Sequence, residues 1–379
     1  MSPNRTIMAA FFLQPVAFGS WLPQIPGVQE RLSLGPADLA VALLGLPAGI
    51  LLMLPFAGQL VGRVGSRKTL IFGFPVFLAL VPLPVAAPDV GLLFLLLFLL
   101  GIGLSTLELA LNVEADLIEK RGSVSIMNRC HGFWSLGIMA GSLVGAGFLA
   151  LHALPFMSIG LLSVLLMPIS VSVCLALPPN EASARQTQAR PSWKMPSPAI
   201  LGISLFVFGV TMTEGAVADW SAVYLKDAFA TEGMATGLGY VVFAMMVSVG
   251  RFLGDAAKER FGPVRLARLC LIAAFAGMLV VVTAPIPLVV YLGLACVGLG
   301  VSVGFPLAVT ASAGLQDRPA AENVAILSFI ALFGFLVGPP LIGFVAEVLG
   351  LRSGLATLLP PLLLSVFLAR LLRRTKAQG

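Results

Sequence analysis

Apolar stretches long enough to cross a lipid bilayer recur along the whole chain, and this recurrence restricts the fold more than any other feature. A helix needs about 20 mainly apolar residues to span the hydrocarbon core. Because no water is present there to satisfy the backbone, each stretch is predicted to be an α-helix. The twelve predicted spans are 6–28, 37–61, 68–87, 90–118, 128–150, 154–177, 198–226, 234–256, 264–284, 286–314, 323–347 and 353–372. The expected fold class is therefore an all-α membrane protein with twelve transmembrane helices.

Composition excludes most other classes of protein. Apolar residues make up 58% of the 379 residues and charged residues only 11%, whereas soluble domains carry about 25% charged residues. A soluble enzyme, a nucleic-acid-binding protein and a disordered chain are excluded on this ground. The four cysteines lie in apolar stretches and only two histidines occur, so neither a metal site nor a cofactor is expected. The sequence also lacks a phosphate-binding GxxxxGK[ST] segment, so any transport would be secondary.

The lysines and arginines indicate how the chain is oriented. With the N-terminus in the cytoplasm, 19 of the 23 cationic residues fall on the cytoplasmic side; Arg31, Lys226 and Arg352 lie on the other, and Arg251 lies within a helix end. Lysine and arginine accumulate on the cytoplasmic side of membrane proteins. We therefore expect a multi-pass protein of the bacterial inner membrane with both termini in the cytoplasm.

A constant offset of 197 residues relates the two halves of the chain. The pairs at this offset are Arg63/Arg260, Gly65/Gly262, Lys68/Arg265, Gly101/Gly298, Gly103/Gly300, Gly137/Gly334 and Gly141/Gly338. Such an offset predicts two parallel six-helix repeats with a cavity between them. The longest polar stretch lies between the repeats, so the predicted division is an N-terminal bundle 1–177, a cytoplasmic linker 178–197 and a C-terminal bundle 198–379.

Ionisable side chains inside the predicted spans are candidates for function, because such groups are costly in hydrocarbon. Glu108 and Asn112 lie one turn apart on the fourth span, and Glu214 lies near the middle of the seventh. A carboxyl group in a partly dry cavity holds its proton more tightly, since desolvation disfavours the charged form. Glu108 and Glu214 are therefore predicted to couple transport to protons. The alternative is that each is a protonated link between helices.

Other polar and aromatic residues are predicted to shape a pocket for a small polar solute. They are Gln14, Trp21, Gln24, Asn112, His131 and Trp220. The alternative for His131 is a satisfied packing residue. Glu114, Asp116 and Asp219 lie closer to the span ends, so we expect them to pair with loop cations or helix ends.

Two glycine-rich cationic loops occupy equivalent places in the two halves and are predicted to form a gate. The residues concerned are Gly58, Arg63, Gly65, Arg67 and Lys68, and in the second copy Asp255, Arg260 and Gly262. The glycines permit a tight turn, and the cations can meet acids or helix C-termini across the interface between the halves. The alternative is a plain cationic loop on the cytoplasmic side.

The first of these loops, GQLVGRVGSRK, resembles the signature loop of the major facilitator superfamily, G-x-L-x-D-R-x-G-R-[KR]-[KR]. Gly62 stands at the usual acidic position and Ser66 replaces a cation, so the gate is expected to depend on Asp255. The resemblance implies alternating access between two bundles, with helices 1, 4, 7 and 10 lining the cavity. It also implies that the loops stabilise the outward-facing state.

Two further segments are similar to the fucose-permease-like branch of that superfamily. GIGLSTLELALNVEADL is similar to the branch's fourth helix, where a glutamate followed four residues later by an asparagine serves proton coupling, and this implies the same role for Glu108 and Asn112. NRCHGFWSLGIMAG is similar to the fifth helix and places His131 at a polar pocket position. The branch's acid in the first helix has no counterpart here, and we expect Glu214 to supply the second carboxyl.

The expected function is therefore proton-coupled symport of a small, polar, sugar-like solute by a monomer in the bilayer, without a nucleic-acid partner. One alternative is a proton-coupled efflux antiporter of amphipathic, drug-like compounds, although the fifth helix lacks the Gly-Pro motif of drug antiporters. A second alternative is a membrane sensor that does not transport.

Overall fold

The computed structural model describes residues 2–122, 126–179 and 195–373. Within these ranges twelve helices are long and apolar enough to cross a membrane, which confirms the predicted number. The spans, labelled α1 to α12 in chain order, are Pro3–Arg31, Pro36–Val64, Ser66–Ala86, Val90–Gly122, Arg129–Ala150, Pro155–Leu175, Pro198–Phe229, Met234–Phe261, Pro263–Thr283, Pro287–Ala313, Glu322–Leu349 and Leu351–Leu372.

Several predicted features fall outside the described residues. They include most of the predicted linker, 180–194, and the cations Arg185, Arg190, Lys194, Arg374 and Lys376. The division into two bundles and a linker, and the orientation of the chain, therefore stay predictions. Below, α1 to α6 are called the first set and α7 to α12 the second set.

Several helices extend beyond their predicted ends into charged sequence. The helix of α4 continues to Gly122 and that of α8 to Phe261, where charged residues follow the apolar stretch. Hydropathy marks only the part of a helix that fits the hydrocarbon core, and a helix can continue into the headgroup region where its charges are solvated. The predicted ends were therefore too short at these places.

The spans cross in alternating directions, so the connecting turns fall on two faces. We call the face that carries Ser2, the turns at Gly65 and Gly262, and residue 373 the terminal face, and the other the opposite face. Gly65 and Gly262 join α2 to α3 and α8 to α9 with φ of 90° and 72°. L-residues with a Cβ rarely adopt such angles, which explains why glycine stands at both places.

Glycines also bring helices into close contact, and they do so in the same way in both sets. A Cβ on Gly101 of α4 would collide with the Leu46 carbonyl of α2, and a Cβ on Gly298 of α10 with the Phe243 carbonyl of α8. Both pairs of positions are 197 residues apart. Small residues allow such close approach between membrane helices. The offset in the sequence therefore corresponds to repeated packing contacts.

Contacts within each set follow one pattern. In the first set α1 packs on α5 and α2 packs on α4; in the second set α7 packs on α11 and α8 packs on α10. The two sets meet mainly along α5 and α8 and where the first segment of α2, Pro36–Leu43, packs on α11. In the described residues, neither α4 nor α10 makes an extensive contact with the other set.

The space between the sets widens towards the terminal face. On the opposite face, Gly343 of α11 packs against Ala40 and the Pro36 carbonyl of α2. From Leu52 to Leu60 of α2, by contrast, every side chain except Met53 and Ala57 is exposed, so this half of the helix lacks a protein neighbour on most sides. We call the resulting space between the sets the crevice; it is open to the terminal face.

Candidate functional site: the crevice between the two helix sets

The fourth helix places a carboxyl group in the crevice. Glu108 lies near the middle of α4, surrounded by protein, and yet its side chain is exposed. It lies nine residues after Leu99, an exposed residue on the outer surface, which places the two on opposite sides of a helix with 3.6 residues per turn. Glu108 also lies two turns after Gly101, which faces α2. The Glu108 side chain is therefore exposed to the crevice and not to the outer surface. Asn112 is half-buried and lies one turn nearer the terminal face.

A second charged group spans the crevice wall where the two sets meet. Arg251 of α8 forms a loose ion pair with Glu214 of α7, with Nη2 3.5 Å from Oε1. The same guanidinium donates through Nη1 to the Ser135 hydroxyl of α5 over 2.6 Å, which joins the second set to the first. The side chains of Arg251 and Glu214 are 20% and 16% exposed. The pair is therefore nearly desolvated but still reachable from the crevice.

Further titratable groups surround this pair. His131 of α5 lies within electrostatic range of Arg251 and packs edge-on against Phe11, with ring centroids 5.5 Å apart. Tyr240 of α8 lies within electrostatic range of Arg251, Glu214 and Asp219. The sequence predicted that Asp219 of α7 pairs with a loop cation or a helix end. In the structure it is half-buried in this cluster, within electrostatic range of Tyr240. The cluster is polar, deep in the protein and assembled from three helices.

Four of the residues predicted to shape the pocket lie in helix packing in this conformation. Gln14, Trp21 and Gln24 of α1 and Trp220 of α7 are all at most 2% exposed. Gln14 accepts a hydrogen bond from Trp134 Nε1 at 2.8 Å, and Gln24 donates to the Gly145 carbonyl at 3.0 Å, so both amides face α5. A solute in the crevice would not touch them here. Their role in substrate binding stays a prediction that needs another conformation.

Trp220 has a packing partner of its own. Its indole N–H donates to the Pro339 carbonyl of α11 at 3.2 Å, and its ring lies beside Gly343. The indole N–H of this buried ring therefore has a hydrogen-bond partner on the neighbouring helix. The residue thus supports the contact between α7 and α11.

The predicted gating loops make contacts within their own sets. Arg67 donates to the Leu175 carbonyl of α6 over 2.6 Å, and Arg260 lies 5.5 Å from the ring centroid of Phe261. Arg63, Lys68 and Asp255 are exposed, and Gly58 and Gly62 have no neighbour that a Cβ would meet. Among the described side chains, no ion pair joins the two loops. Their gating role stays a prediction.

Arg251 is the residue of the crevice that sequence reasoning missed. It was assigned to a helix end because charged residues follow it, but α8 continues as a helix for ten more residues to Phe261. The available signal was a lone cation among apolar residues in VSVGRFLG. An intramembrane arginine usually faces a partner or a water-filled space.

The chemistry open to this arrangement follows from its charges. Glu108, Glu214 and Asp219 supply three carboxyl groups, and Arg251 is within ion-pair distance of only Glu214. Within the described residues, Glu108 and Asp219 have no cationic partner inside 4 Å. Carboxyl groups in partly dry surroundings without a cation favour the protonated form. The crevice can therefore take up and release protons, while the Asn112 amide and the His131 imidazole can hydrogen-bond a polar solute.

Comparison with known proteins identifies the family. The chain is 26% identical over 350 residues to an uncharacterized MFS-type transporter of Yersinia pestis, covering 92% of this chain and 90% of that protein. Its fold matches the crystal structure of the E. coli fucose:proton symporter FucP with a TM-score of 0.67 at 16% identity, over 99% of both chains. A variant of the nucleoside transporter NupG matches with a TM-score of 0.77 at 14% identity, over 98% of this chain and 99% of that chain.

The family model described as Major Facilitator Superfamily matches residues 7–316. Members of this family carry small-molecule solutes across membranes and are not enzymes, which agrees with the resemblance of the signature loop. The fold comparisons agree with twelve membrane helices arranged in this way. The chain is thus a multi-pass membrane transporter that belongs to the Major Facilitator Superfamily.

Proposed function

We propose that this transporter couples the movement of a small, polar solute to protons, and that Glu108 carries the proton. The observation that supports this most is the carboxyl group of Glu108, which is deep in α4 and yet exposed to the crevice. A carboxyl group sealed between helices could not exchange protons with either compartment. One exposed to bulk water on all sides would not hold its proton near neutral pH.

The crevice suggests how coupling works. If the terminal face is cytoplasmic, as the distribution of lysine and arginine predicts, the structure corresponds to an inward-facing state in which proton and solute leave from the same space. Asn112, one turn from Glu108, hydrogen-bonds the solute beside the carboxyl. Glu214 is the second coupling site, because its protonation weakens the attraction to Arg251 across the 3.5 Å gap.

The solute class follows from the uncharged lining groups. An amide and an imidazole each offer a donor and an acceptor, which match the hydroxyl groups of a sugar or another hydroxylated metabolite. Proteins of similar fold include a fucose:proton symporter and a nucleoside transporter, and fucose and nucleosides are hydroxylated solutes of this kind. A bacterial inner membrane and a monomeric state complete the proposal.

The first experiment finds the solute. Full-length protein in detergent is screened for thermal stabilisation by sugars, polyols, nucleosides and organic acids, since a ligand of the folded state raises the melting temperature. The ligand found is then added outside proteoliposomes that contain a pH-sensitive dye. Proton entry together with the added ligand supports symport, whereas proton exit as the ligand enters supports the antiporter.

Substitution of Glu108 tests its role directly. In Glu108→Gln we expect accumulation driven by the proton gradient to fall to the level of empty vesicles, because the amide cannot carry the proton. Solute exchange without a gradient should continue at a comparable rate. Asp116→Asn is the matched control, since Asp116 lies on the same helix, two turns nearer the terminal face, and has a cationic partner in Lys120 at 2.6 Å. Full accumulation in Glu108→Gln would remove Glu108 from this role.

The sensor alternative predicts a different pattern. A protein that only signals would show solute binding in the thermal screen but no solute flux in proteoliposomes. Flux that depends on protein and saturates with solute concentration excludes that alternative.

A further inference from the structure

A cavity of about 230 Å³ lies at the terminal face of the second set, away from the crevice. Eight residues line it, from α8, α9, α10 and α12 and from just beyond the ends of the last two; they include Lys258, Pro263, Ala311 and Arg373. Lys258 and Arg373 are cationic residues, and none of the eight is acidic. The volume equals the space of several water molecules, each of about 30 Å³.

The equivalent place in the first set holds a carboxyl group. At the offset of 197 residues, Pro263 corresponds to Ser66 and Ala311 to Glu114. Glu114 is completely buried and accepts a hydrogen bond from the Ser66 hydroxyl at 2.6 Å, in the first turn of α3. A negative charge at the beginning of a helix is favoured by the helix dipole. The first set therefore has its own carboxyl group at the turn between its second and third helices.

The second set lacks that carboxyl group and has two cationic residues around the cavity at the equivalent position. Ala311 replaces the glutamate, while Lys258 and Arg373 stand where the first set has Val61 and Ala176. Lys258 is half-buried and Arg373 is exposed. Neither cation belongs to an ion pair among the described residues. Two cations that converge on a cavity without a counter-ion repel each other, and a bound anion would relieve this repulsion.

We propose that this cavity binds a phosphate-type anion, which takes the place that Glu114 occupies in the first set. Lysine and arginine are the usual partners of phosphate oxygens. The phosphate belongs either to an anionic phospholipid headgroup at the membrane surface or to a soluble phosphorylated compound. Both sources present the same group to Lys258 and Arg373. The site is separate from the crevice, and the proposal does not depend on proton coupling.

Thermal unfolding of the full-length protein tests the proposal in two arms. In the first, inorganic phosphate is added to protein in a neutral detergent at constant ionic strength; in the second, the protein is compared in nanodiscs of phosphatidylcholine with and without phosphatidylglycerol. We expect at least one arm to raise the melting temperature of the unmodified protein by several degrees. Stabilisation by phosphate indicates a soluble ligand, and stabilisation by phosphatidylglycerol alone indicates the headgroup.

Three variants separate this site from general attraction of anions. The double variant Lys258→Gln with Arg373→Gln should lose the stabilisation, whereas Arg370→Gln, which removes an exposed cation outside the cavity, should keep it. Ala311→Glu restores the carboxyl of the first set, so it should raise the melting temperature without any added anion and abolish the response to one. Equal stabilisation of the unmodified protein and the double variant, or no stabilisation in either arm, would overturn the proposal.

Discussion

At the scale of single residues, few of the ionisable groups in the crevice have a partner of opposite charge. Arg251 has one carboxyl partner, Glu214, and one hydroxyl partner, Ser135. Ser135 in turn donates to the His131 carbonyl at 3.0 Å, so its oxygen is held towards the guanidinium. Arg251 therefore links the protonation of Glu214 on α7 to the hydrogen bond with Ser135 that joins the two sets.

A double-mutant cycle tests that link. Removing one partner of a nearly buried ion pair leaves an uncompensated charge, which costs about 3–5 kcal/mol when the pair is fully buried and less here because both side chains retain some exposure. We therefore expect Glu214→Gln and Arg251→Gln each to lower the melting temperature clearly, and the double variant to recover much of the loss. The measurement is thermal unfolding of the three variants in detergent.

Strictly additive losses would show that the two residues do not interact. A control for this cycle must remove an acid without removing a structural contact. Glu119→Gln does not meet that condition, since the Glu119 carboxylate accepts a hydrogen bond from the Met127 backbone N–H at 2.8 Å. Glu259→Gln is suitable, because Glu259 is an exposed acid near the end of the same helix as Arg251.

At the scale of helices, the contact between α1 and α5 depends on small residues along one side of α5. A Cβ on Gly137, Gly141 or Gly145 would collide with the backbone of α1. Ser142 adds a hydrogen bond from its hydroxyl to the Gly19 carbonyl of α1 at 3.1 Å. This face of α5 is therefore matched to the α1 backbone, and its glycine spacing of four residues follows the helix period.

Alanine substitution on α5 tests this packing with a control on the same helix. Gly141→Ala places a methyl group against Val16, whose backbone cannot move aside, so we expect a loss of about 1–3 kcal/mol. In Gly147→Ala the new methyl group meets nothing within 4 Å, so stability should stay unchanged or rise slightly. Urea or thermal unfolding of both variants in detergent gives the comparison. Equal stability of the two variants would contradict the close contact.

At the scale of the whole molecule, polar contacts hold the two sets together on the opposite face. Lys226 at the end of α7 forms an ion pair with Glu30 at the end of α1. Glu347 of α11 accepts a hydrogen bond from the Ala37 backbone N–H in the first turn of α2 at 3.1 Å. Both contacts must separate for the crevice to open on this face, so they favour the conformation described here.

Removing both contacts should shift the conformational equilibrium towards opening of the opposite face. We expect Lys226→Gln combined with Glu347→Ala to add a population with a longer distance between spin labels at Ser33 and Glu232, which are exposed in turns of the two sets. Double electron–electron resonance, in a background without the four native cysteines, measures this distance. Asp227→Asn, beside Lys226, is the control and should leave the distribution unchanged. An unaltered distribution in the double variant would show that apolar packing alone closes this face.

Predictability from sequence differed between the fold and the site. The twelve spans and the 197-residue repeat could be predicted because hydropathy and glycine spacing reflect local requirements of a helix in lipid. Glu108 and Gln14 looked alike in the sequence, since both are polar residues inside apolar spans. One lines the crevice and the other accepts a hydrogen bond from Trp134, and only the neighbouring helices decide between these outcomes.

The sequence by itself determined the number of helices, their family and the places where turns need glycine, since each depends on one segment and its solvent. Tertiary structure alone decided which polar side chains share the crevice, because that depends on how helices distant in sequence rotate against one another. Arg251 illustrates the difference: in the sequence it is a lone cation near a helix end, and in the fold it joins Glu214 to Ser135. Long-range packing brings these charges together, and no local pattern records it.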